Sequence, residues 1–219
     1  MKFFLKSKYI LLFIIITQIG CNWTKSEAKQ EIKKIMNDQT PNYQTATFGS
    51  GCFWCTEAIF ERVNGVIKVI SGYSRGNTEH PSYKEVCEGN TGHAECTQIT
   101  FDPAVVSYDE LLEIFWKTHD PTTLNRQGND VGTQYRSVIF YSNDDQKQKA
   151  EYYKNKLTEE KIWDKPIVTE ITRLSVFYPA ENYHQEYYEN NPSQGYCAYV
   201  ITPKIEKFEK IFKDKLKKH

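Results

Sequence analysis

Cys52 stands in a stretch, Phe48-Gly-Ser-Gly-Cys-Phe-Trp-Cys-Thr-Glu57, whose residue types suit a nucleophilic thiol. A β-prone run, Tyr43 to Phe48, leads into Gly-Ser-Gly, and a helix-competent run, Thr56 to Val63, follows. The thiol is therefore expected where a strand ends and a helix begins. Unpaired N–H groups and the positive end of the helix dipole favour thiolate there. Gly49 and Gly51 allow a sharp turn that leaves the sulfur open to a ligand. Phe53 and Trp54 add two large apolar surfaces. This combination fits attack on a small, partly apolar substrate.

The spacing Cys52-Phe-Trp-Cys55 admits three readings. It could be half of a zinc site completed by Cys87, Cys96 or His93, although structural zinc sites pair two short Cys-x-x-Cys knuckles and no second one is present. It could be a thioredoxin-like dithiol, which also sits at a strand-to-helix junction. It could be a lone nucleophile with Cys55 as bystander or helper. Two polar stretches bear on the choice. Gly89-Asn-Thr-Gly-His-Ala-Glu95 sets a carboxylate just before a strand, with Ser82-Tyr83 in the same loop. Asn129-Asp130-Val-Gly-Thr-Gln-Tyr135-Arg136 lies in a second long loop. A sulfur nucleophile, a buried carboxylic acid and two phenols suit removal of an oxygen: the acid donates a proton and the phenols hold the oxygen.

These groups need a scaffold. Strand Tyr43–Phe48 and helix Thr56–Val63 are followed by a β-branched run, Val66 to Tyr73. A long polar loop, 74–95, precedes a strand from Cys96 to Phe101. Ser107 with Glu110 forms a capping box ahead of an amphipathic helix, and Ser137 to Tyr141 is again a strand. The order β-α-β-β-α-β is ferredoxin-like. A charged helix over 144–161, a strand around Val168–Leu174, an irregular stretch Phe177–Tyr196, a short strand Tyr199–Ile201 and a helix opened by Pro203 complete the reading. The two long loops, 74–95 and 118–136, are expected to wall the site.

Gly51-Cys-Phe-Trp, Pro81-Ser-Tyr83, Val86-Cys-Glu-Gly-Asn-Thr-Gly-His-Ala-Glu95, Asn125-Arg-Gln-Gly-Asn-Asp130-Val-Gly-Thr-Gln-Tyr-Arg136 and Ala180-Glu-Asn-Tyr-His-Gln185 resemble peptide methionine sulfoxide reductase A, in one register from about Thr45 to Lys204. The resemblance implies an α/β (α+β) fold, a ferredoxin-like core elaborated into a two-layer α/β roll. It implies that Cys52 is the nucleophile and Glu95 the proton donor. Tyr83 and Tyr135 would bind the sulfoxide oxygen, Phe53 and Trp54 would receive the S-methyl group, and Asp130 would organise the site. Cys52 would become a sulfenic acid, a second thiol would close a disulfide, and an external thioredoxin-type dithiol would reduce it. The implied substrate is methionine S-sulfoxide, free or in oxidised proteins, with no metal and no organic cofactor.

The second thiol stays open. Cys197 resembles the C-terminal resolving cysteine of many members and is preferred, as a thiol on a mobile tail that reaches with little strain. Cys55 stands where many members carry glycine, one helical turn from Cys52. Cys87 and Cys96 read as thiols packed in or beside the sheet, and His93, His119 and His184 as scaffolding. A thiol-disulfide oxidoreductase using Cys52/Cys55 is the alternative enzyme, and a zinc-stabilised binding protein the non-enzymatic one.

The 219-residue chain carries 28 basic and 28 acidic side chains, so no global field points to nucleic acid. Lys2, Lys6 and Lys8, the apolar run Tyr9–Ile16 and the ending Ile-Gly-Cys21 resemble a bacterial lipoprotein signal. The expected organisation is a signal over 1–20, a lipidated Cys21 opening a tether over 21–42, and a catalytic domain over 43–219. An uncleaved anchor is the competing reading, and either exports the domain to the periplasm or cell envelope. A membrane-tethered monomer is expected.

Overall fold

The computed structural model describes residues 42–218; the signal, Cys21 and the tether lie outside them. The described residues hold eight strands and six α-helices. They run β1 (Gln44–Ser50), α1 (Phe53–Glu61), β2 (Val66–Ser74), α2 (Tyr83–Cys87), β3 (Ala94–Phe101), α3 (Tyr108–Thr118), β4 (Arg126–Gln127) and β5 (Asp130–Val131). Then come β6 (Ser137–Tyr141), α4 (Asp144–Glu159), β7 (Glu170–Arg173), β8 (Phe177–Pro179), α5 (Tyr187–Asn190) and α6 (Thr202–Ile211).

Six strands form one sheet in the order β7-β6-β1-β3-β2-β8. The central four, β6-β1-β3-β2, pair antiparallel with one another. This is the order a ferredoxin-like β-α-β-β-α-β chain produces, so the expected fold class holds. β8 adds antiparallel to β2 and β7 adds parallel to β6, which widens the core sheet at both edges. Pro179 is tolerated because β8 is an edge strand.

Side-chain alternation decides which face each residue serves. Ile99 and Phe101 of β3 pack with Phe48 of β1, with Ile59 and Phe60 of α1, and with Leu111, Leu112 and Phe115 of α3. Ala94 and Cys96 face the other way, onto Val138 and Phe140. Glu95 shares the parity of Ile99 and Phe101 and so points to the α1 side. Fully buried side chains such as Phe48, Phe60 and Phe115 each stabilise the fold by roughly 1.5–3 kcal/mol. A one-residue slip of β3 would turn Glu95 away from α1.

Four details differ from the sequence reading. Glu95 lies within β3, opposite Tyr73 of β2. The 74–95 loop contains α2, started by a second capping box in which Ser82 and Glu85 bond reciprocally. Cys87, at the end of α2, is exposed rather than packed, whereas Cys96 is buried as expected. Residues 197–201 form a turn of π-helix where a strand was expected over Tyr199–Ile201. Cys197 and Ile201 are buried while Tyr199 is 85% exposed. That is helical i,i+4 spacing, and a strand would have put all three on one face.

Candidate active site

Two glycines make room for the thiol. Gly51 has φ +93°, and a Cβ there would meet the Gln127 side chain at 2.5 Å. At Gly49 a Cβ would come within 2.8 Å of Val138 Cγ1 and 2.9 Å of the Glu95 carbonyl oxygen, so β1 lies close against the backbone that carries the acid. Cys52 then caps α1 with non-helical φ −56° and ψ 125°. Its thiol is buried.

Glu95 occupies the helix end instead of the thiol. The Phe53 N–H donates to Glu95 Oε2 at 3.0 Å. Burial outweighs that hydrogen bond and raises the Glu95 carboxyl to about 8, so it is neutral at pH 7. Burial also pushes the Cys52 thiol up, reinforced by its hydrogen bond to Cys55. The charge of the pair falls on Cys55, pulled down to about 7 by the Cys52 hydrogen bond and by Lys204. This corrects the expectation that the helix terminus alone would hold Cys52 as thiolate: burial costs the charged form more than the dipole returns.

Both phenols stay protonated. Burial raises Tyr83 and Tyr135, and the nearby Glu95 raises each further. Tyr83 stacks on Phe53 with ring centroids 6.3 Å apart. Phe53 is almost fully buried among Tyr73, Val86 and Ala180, so it forms the floor. Trp54 is half-buried, stacked on Tyr187 at 3.7 Å, and its Nε1–H donates to His184 Nδ1 at 3.2 Å. Asp130 accepts from the Tyr196 hydroxyl at 2.6 Å, which ties the β4–β5 hairpin to the segment before Cys197.

Cys197 is fully buried and packs with Cys52, Cys55, Ala58, Ile201 and Ile205. It heads the π-turn that runs into α6 and is not on a tail. Cys55 hydrogen-bonds to the Cys52 thiol and lies near Cys197, whose thiol burial and the Cys55 charge raise. The described thiols of the site therefore run Cys52, Cys55, Cys197. Lys204 Nζ donates to Cys55 Sγ at 3.5 Å.

The loops close around this centre as expected. The Arg136 guanidinium donates to the carbonyls of Thr133 and Gly92, joining the two long loops. His93 accepts from Gly76 N–H at 3.1 Å and reaches Thr78 O at 2.8 Å. His119 bridges Phe115 O and Ser137 Oγ, both at 2.7 Å, and burial lowers it to about 4. These histidines fasten backbone groups and, through His119, the Ser137 hydroxyl. Glu181 accepts from the Tyr73 hydroxyl and the Tyr83 N–H, and so positions the head of α2. Glu181, Tyr187, Tyr196 and Lys204 had no role in the sequence reading; the first three fall in the stretch Phe177–Tyr196, which local patterning left irregular, and Lys204 falls on the helix opened by Pro203. Among the described residues no cluster of three or more His, Cys, Asp or Glu could hold a metal ion. A cavity of about 950 Å³ lined by Glu61, Ile67, Gln185 and Glu186 contains none of the thiols, phenols or Glu95.

The peptide methionine sulfoxide reductase family model matches residues 44–216. The chain belongs to that family. A peptide methionine sulfoxide reductase MsrA of Acinetobacter baumannii (strain SDF) is 56% identical over 175 residues, covering 78% of this chain and 99% of the relative. The MsrA of Saccharolobus solfataricus is 54% identical over 176 residues, covering 80% and 98%. Among solved structures, methionine sulfoxide reductase A of Corynebacterium diphtheriae has 38% identity and a TM-score of 0.65, covering 74% of this chain and 80% of that one. Reduced Mxr1 from Saccharomyces cerevisiae has 36% identity and a TM-score of 0.64, covering 71% and 89%. The family's fold is the one built above, and the reductase match spans every described group of the site.

Proposed function

We propose that the protein reduces methionine S-sulfoxide, free or within oxidised proteins, to methionine. The observation that carries this reading is the neutral, buried Glu95 carboxyl bound to the N–H next to Cys52. Such an acid gives a proton to an oxygen leaving sulfur beside the thiol.

In this reading the sulfoxide methyl group lies against Phe53 and Trp54, and its oxygen accepts from the Tyr83 and Tyr135 hydroxyls. Cys52 sulfur attacks the sulfoxide sulfur, and Glu95 protonates the oxygen and recovers a proton from the Cys52 thiol. The oxygen ends on Cys52 as a sulfenic acid and the thioether leaves. A second thiol of this chain then displaces water to give a disulfide. Asp130 acts by holding Tyr196 against the cluster. An external thioredoxin-type dithiol returns the enzyme to the reduced state, and no metal or organic cofactor takes part. We extend the proposal to the N-terminal segment: residues 1–20 export the domain and lipid on Cys21 tethers it, as a monomer, to the envelope. Loss of membrane partition in Cys21→Ser tests that.

The decisive assay presents the two separated sulfoxide epimers with dithiothreitol as reductant. Turnover of the S epimer in wild type and none in Cys52→Ser is expected. Full activity in Cys52→Ser, or exchange of protein disulfides without consumption of either epimer, would favour the thiol-disulfide oxidoreductase instead.

A further inference from the structure

Lys204 and Cys55 are 149 residues apart in sequence and meet at 3.5 Å, ammonium to sulfur. Lys204 is half-buried on the first turn of α6, just after Pro203, and its neighbour Ile205 belongs to the apolar cluster that holds Cys52, Cys55 and Cys197. Among the described residues it forms no ion pair with a carboxylate. An ammonium brought against an apolar cluster loses hydration, and the partner it has gained is a sulfur. The approach is built: Thr202 Oγ1 donates to Cys197 O at 3.1 Å and lies 3.0 Å from the Tyr188 hydroxyl, which fastens the turn preceding Lys204.

We propose that Lys204 is the cation that keeps Cys55 as a thiolate, and that Cys55, so held, attacks the Cys52 sulfenic acid first. This rests on the reductase reading. Groups facing Cys55 are the Cys52 thiol, the Tyr196 hydroxyl, the neutral Glu95 carboxyl, the buried Cys197 thiol and Lys204. Lys204 is the cation among them. Cys197 lacks such a partner, and burial leaves it a thiol. The Cys55 thiolate attacks Cys52 Sγ and the S–O bond breaks. The departing hydroxide takes the Glu95 proton and leaves as water. Cys55 is oxidised and Cys52 reduced from sulfenic acid to disulfide, with no further reagent. Cys55 at the third helical position is within disulfide reach of the N-cap.

Lys204→Met and Lys204→Arg test this. Each enzyme is mixed, without reductant, with one equivalent of N-acetylmethionine S-sulfoxide. Thioether release reports the first step, and trapping with a cyclic 1,3-dione reports how long the sulfenic acid survives. The Cys52 hydrogen bond is the larger influence that lowers Cys55 and stays in place, so losing Lys204 removes only its share of the thiolate, and the second step in Lys204→Met slows several-fold relative to the first. The deficit shrinks as pH rises, Lys204→Arg restores the rate, and the first disulfide in wild type is Cys52–Cys55. Sulfenic acid that disappears from Lys204→Met at the wild-type rate and pH profile, or a first disulfide joining Cys52 to Cys197, overturns the proposal. Alkylation of Cys55 with iodoacetamide, read by mass spectrometry against pH, tests the pairing without turnover. Its midpoint should lie at about 7 in wild type and higher in Lys204→Met; an unshifted midpoint also overturns it. Absence of thioether from wild type would instead sink the reductase reading, and the alkylation profile separates the two failures.

Discussion

The backbone N–H of Phe53 donates to the Glu95 carboxyl at 3.0 Å, joining the residue after Cys52 to an acid 42 positions away. The bond aims the acid at the space beside Cys52. Burial raises the carboxyl from 4.5 to about 8, so it is a proton donor below that pH and an inert carboxylate above it. The rate of sulfenic acid formation should therefore fall as pH rises through about 8. Glu95→Gln keeps a hydrogen-bond donor but no transferable proton. It should slow this step by about 10²-fold and lose the alkaline limb; a single-turnover profile like that of wild type would count against the role.

Tyr83 and Tyr135 are two protonated phenols on different loops that both sense Glu95. Removing one hydroxyl leaves the other in place. Tyr83→Phe and Tyr135→Phe should each lower kcat/KM by about tenfold or more, and the double variant by more than either. Steady-state kinetics on the S epimer distinguishes this from a purely structural role, which would lower thermal stability in step with activity.

Trp54 has two supports, the stack on Tyr187 and the hydrogen bond to His184. Trp54→Phe keeps an aromatic surface and should raise KM only a few-fold. Trp54→Ala removes the wall proposed to meet the methyl group, and its KM should rise by about tenfold or more. Equal KM values in the two variants would remove Trp54 from substrate contact.

The 2.6 Å bond from Tyr196 to Asp130 holds the β4–β5 hairpin to the segment that leads into Cys197. Both side chains are partly exposed, so solvent screening limits what the bond contributes. Tyr196→Phe should lose about 1 kcal/mol in urea unfolding. The same variant should slow disulfide formation more than thioether release, because the loosened segment borders the thiols.

Glu57 is a buried carboxyl of α1 whose two oxygens lack a hydrogen-bond partner, and burial raises it from 4.5 to about 8. A folded-state pKa above the unfolded value means the folded protein keeps a proton that the unfolded chain releases. Its contribution to stability is fully present below about 4.5 and is lost as pH rises toward about 8. Glu57→Gln removes this titration, so unfolding free energy should vary less with pH across that window than in wild type. An unchanged slope would show that Glu57 is hydrated in the folded state.

Local chemistry determined much of this protein. Gly-Ser-Gly before Cys52 set the strand-to-helix turn, Ser107 and Glu110 set the start of α3, and β-branched runs with the right parity set the central strands. The strand-to-helix turn singled out Cys52, the polar loops singled out Glu95, Tyr83 and Tyr135, the family resemblance added Asp130, and the structure brings these five together around the start of α1. Tertiary structure decided what depends on burial and on partners remote in sequence. Whether Cys52 or Cys55 carries the charge depends on how deeply the pair is enclosed, and on Lys204 arriving from the last helix. That Cys197 is a buried member of the thiol cluster depends on the π-turn, where the sequence read a mobile thiol followed by a strand over Tyr199–Ile201. Short-range pattern reports backbone preference and amphipathic face. Desolvation and long-range charge arise only once the sheet, both loops and the C-terminal helix have closed around the same sulfur atoms.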